Sequence, residues 1–200
     1  MKLYYSVGAC SLSPHIVLRE IGGKFDLESV DLGSKKTKSG KDFTKINPKG
    51  YVPTLELDNG EVLTEGAMIV QYLSDKADGS DLLPKHGTME RYRAMEMLNF
   101  IAAEVHKGMG ALFDKNMAPE VRKAAVERIS KRIDYLDTLL SKRKYLLGDK
   151  FSAADAYAFT CLNWGQWVGV DLSKWKHISD YMDRVKARPA VQAAIQAEAA

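Results

Sequence analysis

The sequence predicts an α/β domain followed by an all-helical domain. Short apolar runs typical of strands alternate with helical patterns up to about residue 80 of the 200. A polar stretch with glycine and proline follows, and after it long helical patterns dominate. We therefore expect a first domain at residues 1–80, a linker at 81–88 and a helical domain at 89–200.

The first domain is predicted to have the order β-α-β, then β-β-α. Strands are expected at 2–6 and 27–32, with a helix between them that favours a parallel pair. Two further strands, at 54–57 and 62–63, flank a hairpin-turn signal, and a helix at 67–76 follows. This is a thioredoxin-like layout.

The second domain is predicted to be entirely helical. The apolar periodicity gives helices at 89–112, 121–140, 153–168, 178–187 and 191–199. Ser152 fits the N-cap position. Asp155, three residues later, can accept a hydrogen bond from the backbone of Ser152, which is the short form of a capping box. Because the helix at 153–168 is apolar nearly all round, we expect it at the buried centre of this domain.

Composition narrows the class of protein. Hydrophobic residues make up 46% and charged residues 28%, with a net charge of +3, which is too balanced to imply nucleic-acid binding by itself. The cysteines, Cys10 and Cys161, lack the spacing of a disulfide framework or a zinc site. With no signal peptide and no apolar run long enough for a membrane span, we expect a cytoplasmic protein with reduced thiols.

Cys10 lies where the first strand passes into the first helix, with Ser11 or Ser13 as the helix cap and Pro14 in its first turn. The unpartnered N–H groups and the dipole of a helix start favour a thiolate at this place. A small buried cysteine in the core is the alternative interpretation.

Val52 and Pro53 precede the third strand. A proline at the start of a strand is typical of an edge strand or a loop, and the bond before it is a candidate for the cis form. Such a bend would leave the backbone groups of Val52 available to a peptide-like ligand. The lysine-rich stretch at 33–46 is either a solvated loop or the source of one lysine that meets an anionic ligand.

Thr64 is predicted as the N-cap of the helix at 67–76, with Glu65 beside it. A helix start binds anions and a glutamate can hold a cation, so together they suit the carboxylate and ammonium of an α-amino acid. The alternative is an acid that only favours the helix start.

Three side chains of the helical domain are further candidates. The helical spacing of Asn99 and His106 places them on one face of the helix. This face borders either a cleft or a partner. His106 is otherwise a surface histidine, and Trp164 is either a core residue or the wall of a hydrophobic pocket.

Taken in this order and spacing, five stretches resemble the glutathione S-transferases, specifically the bacterial beta class. They are residues 8–15, 47–53, 63–66, Asn99 with 106–107, and 151–157. The resemblance implies a thioredoxin-like domain joined to an all-helical domain, a homodimer, and reduced glutathione as co-substrate with no further cofactor.

The resemblance also implies roles for positions in the first domain. The Val52–Pro53 bond would be cis, with the Val52 backbone on the cysteinyl part of glutathione. Glu65 and the N–H of Gly66 would hold the γ-glutamyl end, although relatives often place serine where this chain has Gly66. Lys35 would reach the glycyl carboxylate.

Around the reacting sulfur, the resemblance implies Cys10 beside the thiol of glutathione and His106 reaching the site from the helical domain. Ser11 and Tyr5 would be possible helpers, and Tyr5 would also contribute with Trp164 to the hydrophobic pocket. Asn99 would contact glutathione bound to the neighbouring subunit. Ala103 replaces a hydroxyl residue of some relatives.

The activity that follows from this resemblance is conjugation of glutathione to small hydrophobic electrophiles in detoxification. Its alternatives are glutathione-dependent thiol–disulfide exchange, peroxidase or dehalogenase chemistry through a Cys10 mixed disulfide. A non-catalytic ligandin that sequesters hydrophobic compounds is a third interpretation. The sequence does not identify the electrophile.

Overall fold

The computed structural model describes residues 1–199, which form two compact units. The first unit comprises Met1–Ser80 together with the C-terminal segment that begins at Arg188. The second unit comprises Asp81–Ala187.

The first unit is built on a five-stranded mixed sheet of order β3-β2-β1-β4-β5. Its strands are β1 Lys2–Tyr5, β2 Asp26–Asp31, β3 Lys36–Thr37, β4 Thr54–Glu56 and β5 Val62–Thr64. The β1–β2 pair is parallel, as the β-α-β order predicted, and the other three pairs are antiparallel. The fold is therefore the predicted thioredoxin-like arrangement, with one more strand.

The additional strand lies in the stretch predicted as a polar loop. Lys36 and Thr37 pair with the end of β2, and a 3-10 turn follows at Phe43–Lys45. Phe43 is fully buried and packs with Tyr4 of the central strand. One apolar side chain thus fixes a lysine-rich segment onto the sheet.

Two helices of the first unit begin where the site residues lie. Helix α1 spans Leu12–Ile21 and α2 spans Gly66–Lys76. The prediction of Thr64 as the N-cap of α2 is wrong, because Thr64 pairs with Thr54 as the last residue of β5. Glu65 therefore takes the N-cap position, with a positive φ of 69°.

The second unit contains six α-helices and the irregular turns between them. They are α3 Met89–Phe100, α4 Lys107–Ala111, α5 Pro119–Leu140, α6 Ala153–Asn163, α7 Gly165–Val168 and α8 Lys176–Lys186. A 3-10 turn at Leu172–Lys174 precedes α8. The all-helical character of this part of the chain agrees with the prediction.

One continuous helix was predicted at 89–112, but a π-helical segment at Ile101–His106 separates α3 from α4. The turn of a π-helix is wider than that of an α-helix, so side chains after it are rotated relative to those before it. The α-helical period that would place Asn99 and His106 on one face does not continue through this segment.

Helix α6 is the buried centre of the second unit, as its apolar sequence predicted. Every residue from Ala153 to Leu162 is buried. The carboxylate of Asp155 accepts the Ser152 backbone N–H at 2.8 Å, which is the predicted return half of the capping box. The helix ends at Asn163 rather than running to Val168, and Trp164 connects it to α7.

The last helix, α9 at Pro189–Ala199, belongs to the first unit, where it packs against α1. The prediction of a single helical domain at 89–200 therefore does not match this division at its C-terminal end. The reason is a set of polar contacts to α1, among them the two hydrogen bonds that Arg188 donates to Glu20.

In the described part of the chain, none of the helices combines the length and the apolar character needed to span a membrane.

Candidate active site

Cys10 lies in the loop between β1 and α1, as predicted. Its partly exposed thiol donates to the backbone carbonyl of Val52 at 3.2 Å. The Ser11 hydroxyl accepts the Ser6 N–H at 3.2 Å and donates to the Ser6 carbonyl at 3.3 Å, so it closes the loop instead of capping the helix. The loop therefore presents Cys10 directly before the N-cap of α1, toward the stretch that contains Val52.

The peptide bond between Val52 and Pro53 is cis, as predicted. The buried amide of Asn47 donates to the Tyr51 carbonyl at 2.8 Å and to the Thr54 hydroxyl at 3.0 Å, which anchors the bend from both sides. The carbonyl of Val52 was expected to be available to a ligand, whereas here it accepts the Cys10 thiol. A carbonyl oxygen has two lone pairs, so this contact leaves room for a second donor.

Glu65 stands at the start of α2 with a half-exposed carboxylate. Its Oε1 accepts hydrogen bonds from Lys49 Nζ at 2.5 Å and from the Tyr51 hydroxyl at 3.1 Å. The hydrogen bond to Glu65 raises the pKa of Lys49 above its ordinary value. The next residue, Gly66, opens the helix, where backbone N–H groups have no intrahelical acceptor. A carboxylate and a helix N-terminus thus lie next to each other, as predicted.

Lys35 is the lysine of the polar stretch that reaches this site. It has a positive φ of 57°, and its Nζ donates to the Gly50 carbonyl at 2.8 Å. Gly50 lies between Lys49 and Tyr51, so the Lys35 ammonium reaches the same short stretch of backbone from which these two side chains extend to Glu65.

Lys49 and Tyr51 were given no role from the sequence, although both lie in the stretch at 47–53 that carries the resemblance. Both side chains contact Glu65, and Tyr51 directly precedes Val52, whose carbonyl accepts the Cys10 thiol. Tyr51 therefore connects the Glu65 carboxylate to the stretch of chain that Cys10 contacts. The sequence signal for these two residues was a lysine and a tyrosine next to the bend at Pro53.

Tyr5, the last residue of β1, is half-buried beside the buried ring of His15, with 6.3 Å between ring centroids. Burial, and then the negative charge of Glu198, raise the pKa of Tyr5. The side chain predicted for the pocket wall therefore contacts the interior of the first unit.

His106 closes the π-helical segment and is the centre of an aromatic cluster in the second unit. Its Nδ1 lies 2.6 Å from the Tyr157 hydroxyl, and its ring meets the Trp164 ring edge to face at a centroid distance of 5.0 Å. Phe113 packs on the other side of Trp164 at 5.7 Å. Trp164 is buried, whereas Phe113 is about half exposed. An imidazole that is partly accessible is thus held among aromatic rings.

Asn99 is exposed on α3, just before the π-helical segment, and Ala103 lies exposed within that segment. Neither side chain belongs to the aromatic cluster around His106. A π-helical segment lies between Asn99 and His106, so a common face is not given by the α-helical spacing.

A cavity of about 350 Å³ also lies in the second unit, between the end of α6 and α8. Phe159, Leu162 and Met182 form its apolar part, and none of the residues predicted for the site lines it. Within residues 1–199, no group of three or more histidine, cysteine or acidic side chains could hold a metal ion.

Each half of the chain matches a known domain. Residues 1–75 match the model of the glutathione S-transferase N-terminal domain, and residues 100–189 match that of the C-terminal domain. Glutathione S-transferase GstA of Escherichia coli O157:H7 is 43% identical over 198 residues, which cover 99% of this chain and 98% of that protein.

Two solved structures show the same fold over the whole chain. A sphingomonad glutathione S-transferase complexed with glutathione matches with a TM-score of 0.96 and 42% identity, over 100% of this chain and 99% of that one. The bacterial beta class glutathione S-transferase of Sphingomonas chungbukensis matches with a TM-score of 0.95 and 42% identity, over 99% and 98%. This chain therefore belongs to the glutathione S-transferase family, in its bacterial beta class, and is an enzyme of the transferase type with glutathione as co-substrate.

Proposed function

We propose that this transferase conjugates the glutathione thiolate to small hydrophobic electrophiles, with glutathione bound on the first unit around Cys10, Val52 and Glu65. The observation that carries the proposal is that the side chains of Cys10 and Glu65 both contact the residues of the cis bend. The Cys10 thiol contacts the Val52 carbonyl, and Tyr51 joins this place to the Glu65 carboxylate. A peptide with an α-amino acid at one end fits such a series of groups.

The γ-glutamyl end belongs at the start of α2. Its ammonium would bind the Glu65 carboxylate, and its carboxylate would meet the N–H of Gly66 at the positive end of the helix. Because Gly66 has no hydroxyl, the backbone provides this contact alone. The Val52 backbone would pair with the cysteinyl part, and Lys35 would bind the glycyl carboxylate.

Cys10 would lie beside the sulfur of glutathione. A thiol group at a helix start can donate a hydrogen bond to the glutathione thiolate, which lowers the pKa of that thiol and raises the reactive fraction at neutral pH. The thiolate then attacks the electrophilic carbon, the new carbon–sulfur bond forms, and the leaving group departs with its electron pair. Ser11 in the same loop and Tyr5 at the end of β1 would be the further hydroxyl groups of this site.

The second unit would supply the electrophile side. His106 is the imidazole assigned to the reaction, oriented by the Tyr157 hydroxyl, and Trp164 is assigned to the wall of the hydrophobic pocket. We assign exposed Asn99 to glutathione bound in the neighbouring subunit, which makes the working form a homodimer. We place the enzyme in the cytoplasm, where cysteine thiols stay reduced.

The Cys10 thiol also favours a second candidate, thiol–disulfide exchange. In that reaction the Cys10 thiolate attacks the glutathione sulfur of a glutathionylated substrate, forms a mixed disulfide and releases the substrate thiolate. A glutathione thiolate then attacks the mixed disulfide, which restores the Cys10 thiolate and releases glutathione disulfide.

The experiment that tests the proposal compares the wild-type protein with the variants Cys10→Ala and Cys161→Ala. Consumption of glutathione is followed with a chloronitrobenzene, and thiol exchange with a glutathionylated peptide. Loss of one hydrogen bond of about 0.5–1.5 kcal/mol predicts a decrease in conjugation of about 2–10-fold for Cys10→Ala. Exchange should vanish in that variant, and the buried Cys161 is the matched control that keeps both rates.

Exchange at the wild-type rate in Cys10→Ala would exclude the redox candidate. A wild-type protein that binds glutathione and the chloronitrobenzene without conjugating them would instead contradict the proposal and favour a ligandin.

A further inference from the structure

Two short helices of the second unit adjoin the aromatic side chains around His106. Helix α4 has five residues and ends at Ala111, two positions before Phe113. Helix α7 has four residues and begins at Gly165, directly after Trp164. Because helices of about one turn are not stable by themselves, contacts from other elements must fix their positions.

One arginine contacts the C-terminal ends of both helices. Arg122 of α5 donates from Nη1 to the Leu112 carbonyl at 2.9 Å and from Nη2 to the Val168 carbonyl at 2.6 Å. Leu112 follows the last residue of α4, and Val168 is the last residue of α7. Carbonyl groups at a helix C-terminus lack intrahelical donors and lie at the negative end of the helix dipole, which suits a guanidinium. The Arg122 side chain therefore bridges the two helix ends.

A glycine brings the same two helices into close contact. A Cβ atom at Gly165 would lie 3.6 Å from Cε of Met109 on α4 and only 2.6 Å from the Val170 carbonyl oxygen. The second distance excludes a side chain at this position. The start of α7 thus packs against α4, while Arg122 joins the ends of the pair.

Arg122 acts on two aromatic rings through the backbone. The Val168 N–H donates to the Trp164 carbonyl at 3.1 Å, so the turn that Arg122 holds is the turn that carries Trp164. Phe113 directly follows Leu112, whose carbonyl accepts the other hydrogen bond. The rings of Phe113 and Trp164 meet edge to face with 5.7 Å between their centroids. One guanidinium thus holds the backbone beside both rings.

We propose that Arg122 is a positioning residue that sets the distance between Phe113 and Trp164, and thereby the width of the electrophile pocket. The claim about pocket width rests on the role of Trp164 in the proposed function, whereas the claim about the two rings does not. Selectivity among electrophiles then depends on a side chain of α5 that acts through two backbone carbonyls.

Two substitutions separate the guanidinium fork from its charge. Arg122→Lys keeps the charge but replaces the planar fork of donors by a compact ammonium, and Arg122→Met removes charge and donors together. Arg128→Lys and Arg128→Met are the matched controls, because Arg128 is an exposed arginine of the same helix. The free energy of unfolding in urea, measured for all four variants, gives the part of any effect that comes from a general loss of stability.

The position of Trp164 is measured by quenching of its fluorescence with acrylamide. Trp167 and Trp175 are replaced by phenylalanine in every protein of the series, since Trp167 is 55% exposed and Trp164 only 5%. Release of α7 should raise the quenching constant about threefold or more in Arg122→Met and by less in Arg122→Lys. Both Arg128 variants should keep the constant of the unsubstituted parent. An unchanged constant in Arg122→Met, or the same increase in Arg128→Met, would overturn the proposal.

Kinetics test the width of the pocket. The value of kcat/KM is measured for a chloronitrobenzene and for the larger chloronitronaphthalene at one glutathione concentration. Widening of the pocket should raise the naphthalene-to-benzene ratio about fivefold or more in Arg122→Met, because one methylene in a hydrophobic pocket already changes selectivity by about 10–200-fold. A general loss of folded protein would lower both values equally and keep the ratio. The KM for glutathione should change less than about twofold, since Val52 and Glu65 belong to the first unit.

The two readouts distinguish this proposal from the proposed function. A raised quenching constant with an unchanged ratio would support the positioning of the rings and show that Trp164 does not bound the electrophile. A raised ratio in Arg122→Met with wild-type quenching would contradict the route through Trp164.

A measurement on the wild-type protein covers the case in which the Arg122 variants do not fold. Hydrogen bonds to separate acceptors on the two terminal nitrogens hinder rotation of a guanidinium. The Nη1 and Nη2 atoms of Arg122 should therefore give separate nitrogen NMR signals in protein labelled at arginine. One averaged signal for the two atoms would contradict the bridge between Leu112 and Val168, and with it the proposal.

Discussion

The ammonium of Lys49 lies 2.5 Å from the Glu65 carboxylate, at the place assigned to the ammonium of the γ-glutamyl group. Lys49 also donates to the Thr64 hydroxyl at 3.0 Å, so it bridges the end of β5 and the start of α2. Both charged side chains are about half exposed, at 46% and 54%. An ion pair of this kind is weak, and a ligand can displace it.

The first prediction is that Lys49 competes with glutathione for Glu65. An exposed ion pair contributes about 0.2–1 kcal/mol, which corresponds to about a 1.4–5-fold change in an equilibrium constant. The substitution Lys49→Met should therefore lower the Kd for glutathione by up to about fivefold, measured by calorimetry. Lys45→Met, at an exposed lysine of the neighbouring 3-10 turn, is the control that keeps the wild-type Kd.

A higher Kd in Lys49→Met would show that Lys49 is a ligand of glutathione and not its competitor.

The second prediction concerns the orientation of His106. Tyr157→Phe removes the hydroxyl that lies 2.6 Å from His106 Nδ1 and keeps the ring that packs against the imidazole. Because a net hydrogen bond is about 0.5–1.5 kcal/mol, kcat for the chloronitrobenzene should fall about 2–10-fold. The KM for glutathione should stay near its wild-type value, since Glu65 and Val52 belong to the other unit.

If Tyr157→Phe has wild-type kcat, the Tyr157 hydroxyl does not orient a group that acts in the reaction. Tyr145→Phe, a tyrosine outside this aromatic cluster, is the matched control and should be kinetically silent.

The third prediction is a pH dependence of stability from Asp155. Burial raises the pKa of this carboxyl from 3.8 to about 6, against the opposing hydrogen bonds from Leu146, Ser152 and Tyr181. Because the folded state binds the proton more tightly, the stabilisation is fully present below about pH 4 and is lost as pH rises through 6. At about 1.36 kcal/mol per pKa unit, the loss amounts to about 3 kcal/mol.

Urea denaturation of the wild type and Asp155→Asn from pH 4 to pH 8 measures this difference. The variant should be less stable at low pH, because an amide cannot accept all of the donors around Asp155, and the decline from Asp155 should be missing. The same slope of unfolding free energy against pH in both proteins would exclude Asp155 as its source.

Local signals were sufficient for much of the first unit. The alternation of strand and helix predicted the parallel β1–β2 pair, the turn before β5 predicted the hairpin, and the proline after Val52 marked a candidate cis bond. The N-cap of α2 was missed because Thr64 has a strong partner in Thr54, across the hairpin. The pairing of Thr64 with Thr54 determines the conformation of Thr64. A capping propensity inferred from neighbours in the sequence takes no account of this cross-strand pair.

The parts that were missed depend on contacts distant in sequence or on backbone geometry without a sequence period. The π-helical segment before His106 inserts a wider turn that an apolar stripe does not reveal. The docking of α9 involves the buried Glu198, whose carboxylate contacts Gly8 and His15. Its signal was present: a glutamate in register with Val191 and Ala194 on an alanine-rich helix. The sequence analysis treated that tail as a helix of the second domain.

The measurement that tests the central claim most directly is the rate of thioether formation from glutathione and a chloronitrobenzene, in the wild type and in Glu65→Gln. The account predicts a clear wild-type rate. In Glu65→Gln, kcat/KM for glutathione should fall about tenfold or more through KM, because a charge-assisted hydrogen bond is lost. Glu61→Gln, on the exposed hairpin beside β5, should keep the wild-type value. Wild-type kinetics in Glu65→Gln, or no rate above the uncatalysed reaction in the wild type, would contradict the account.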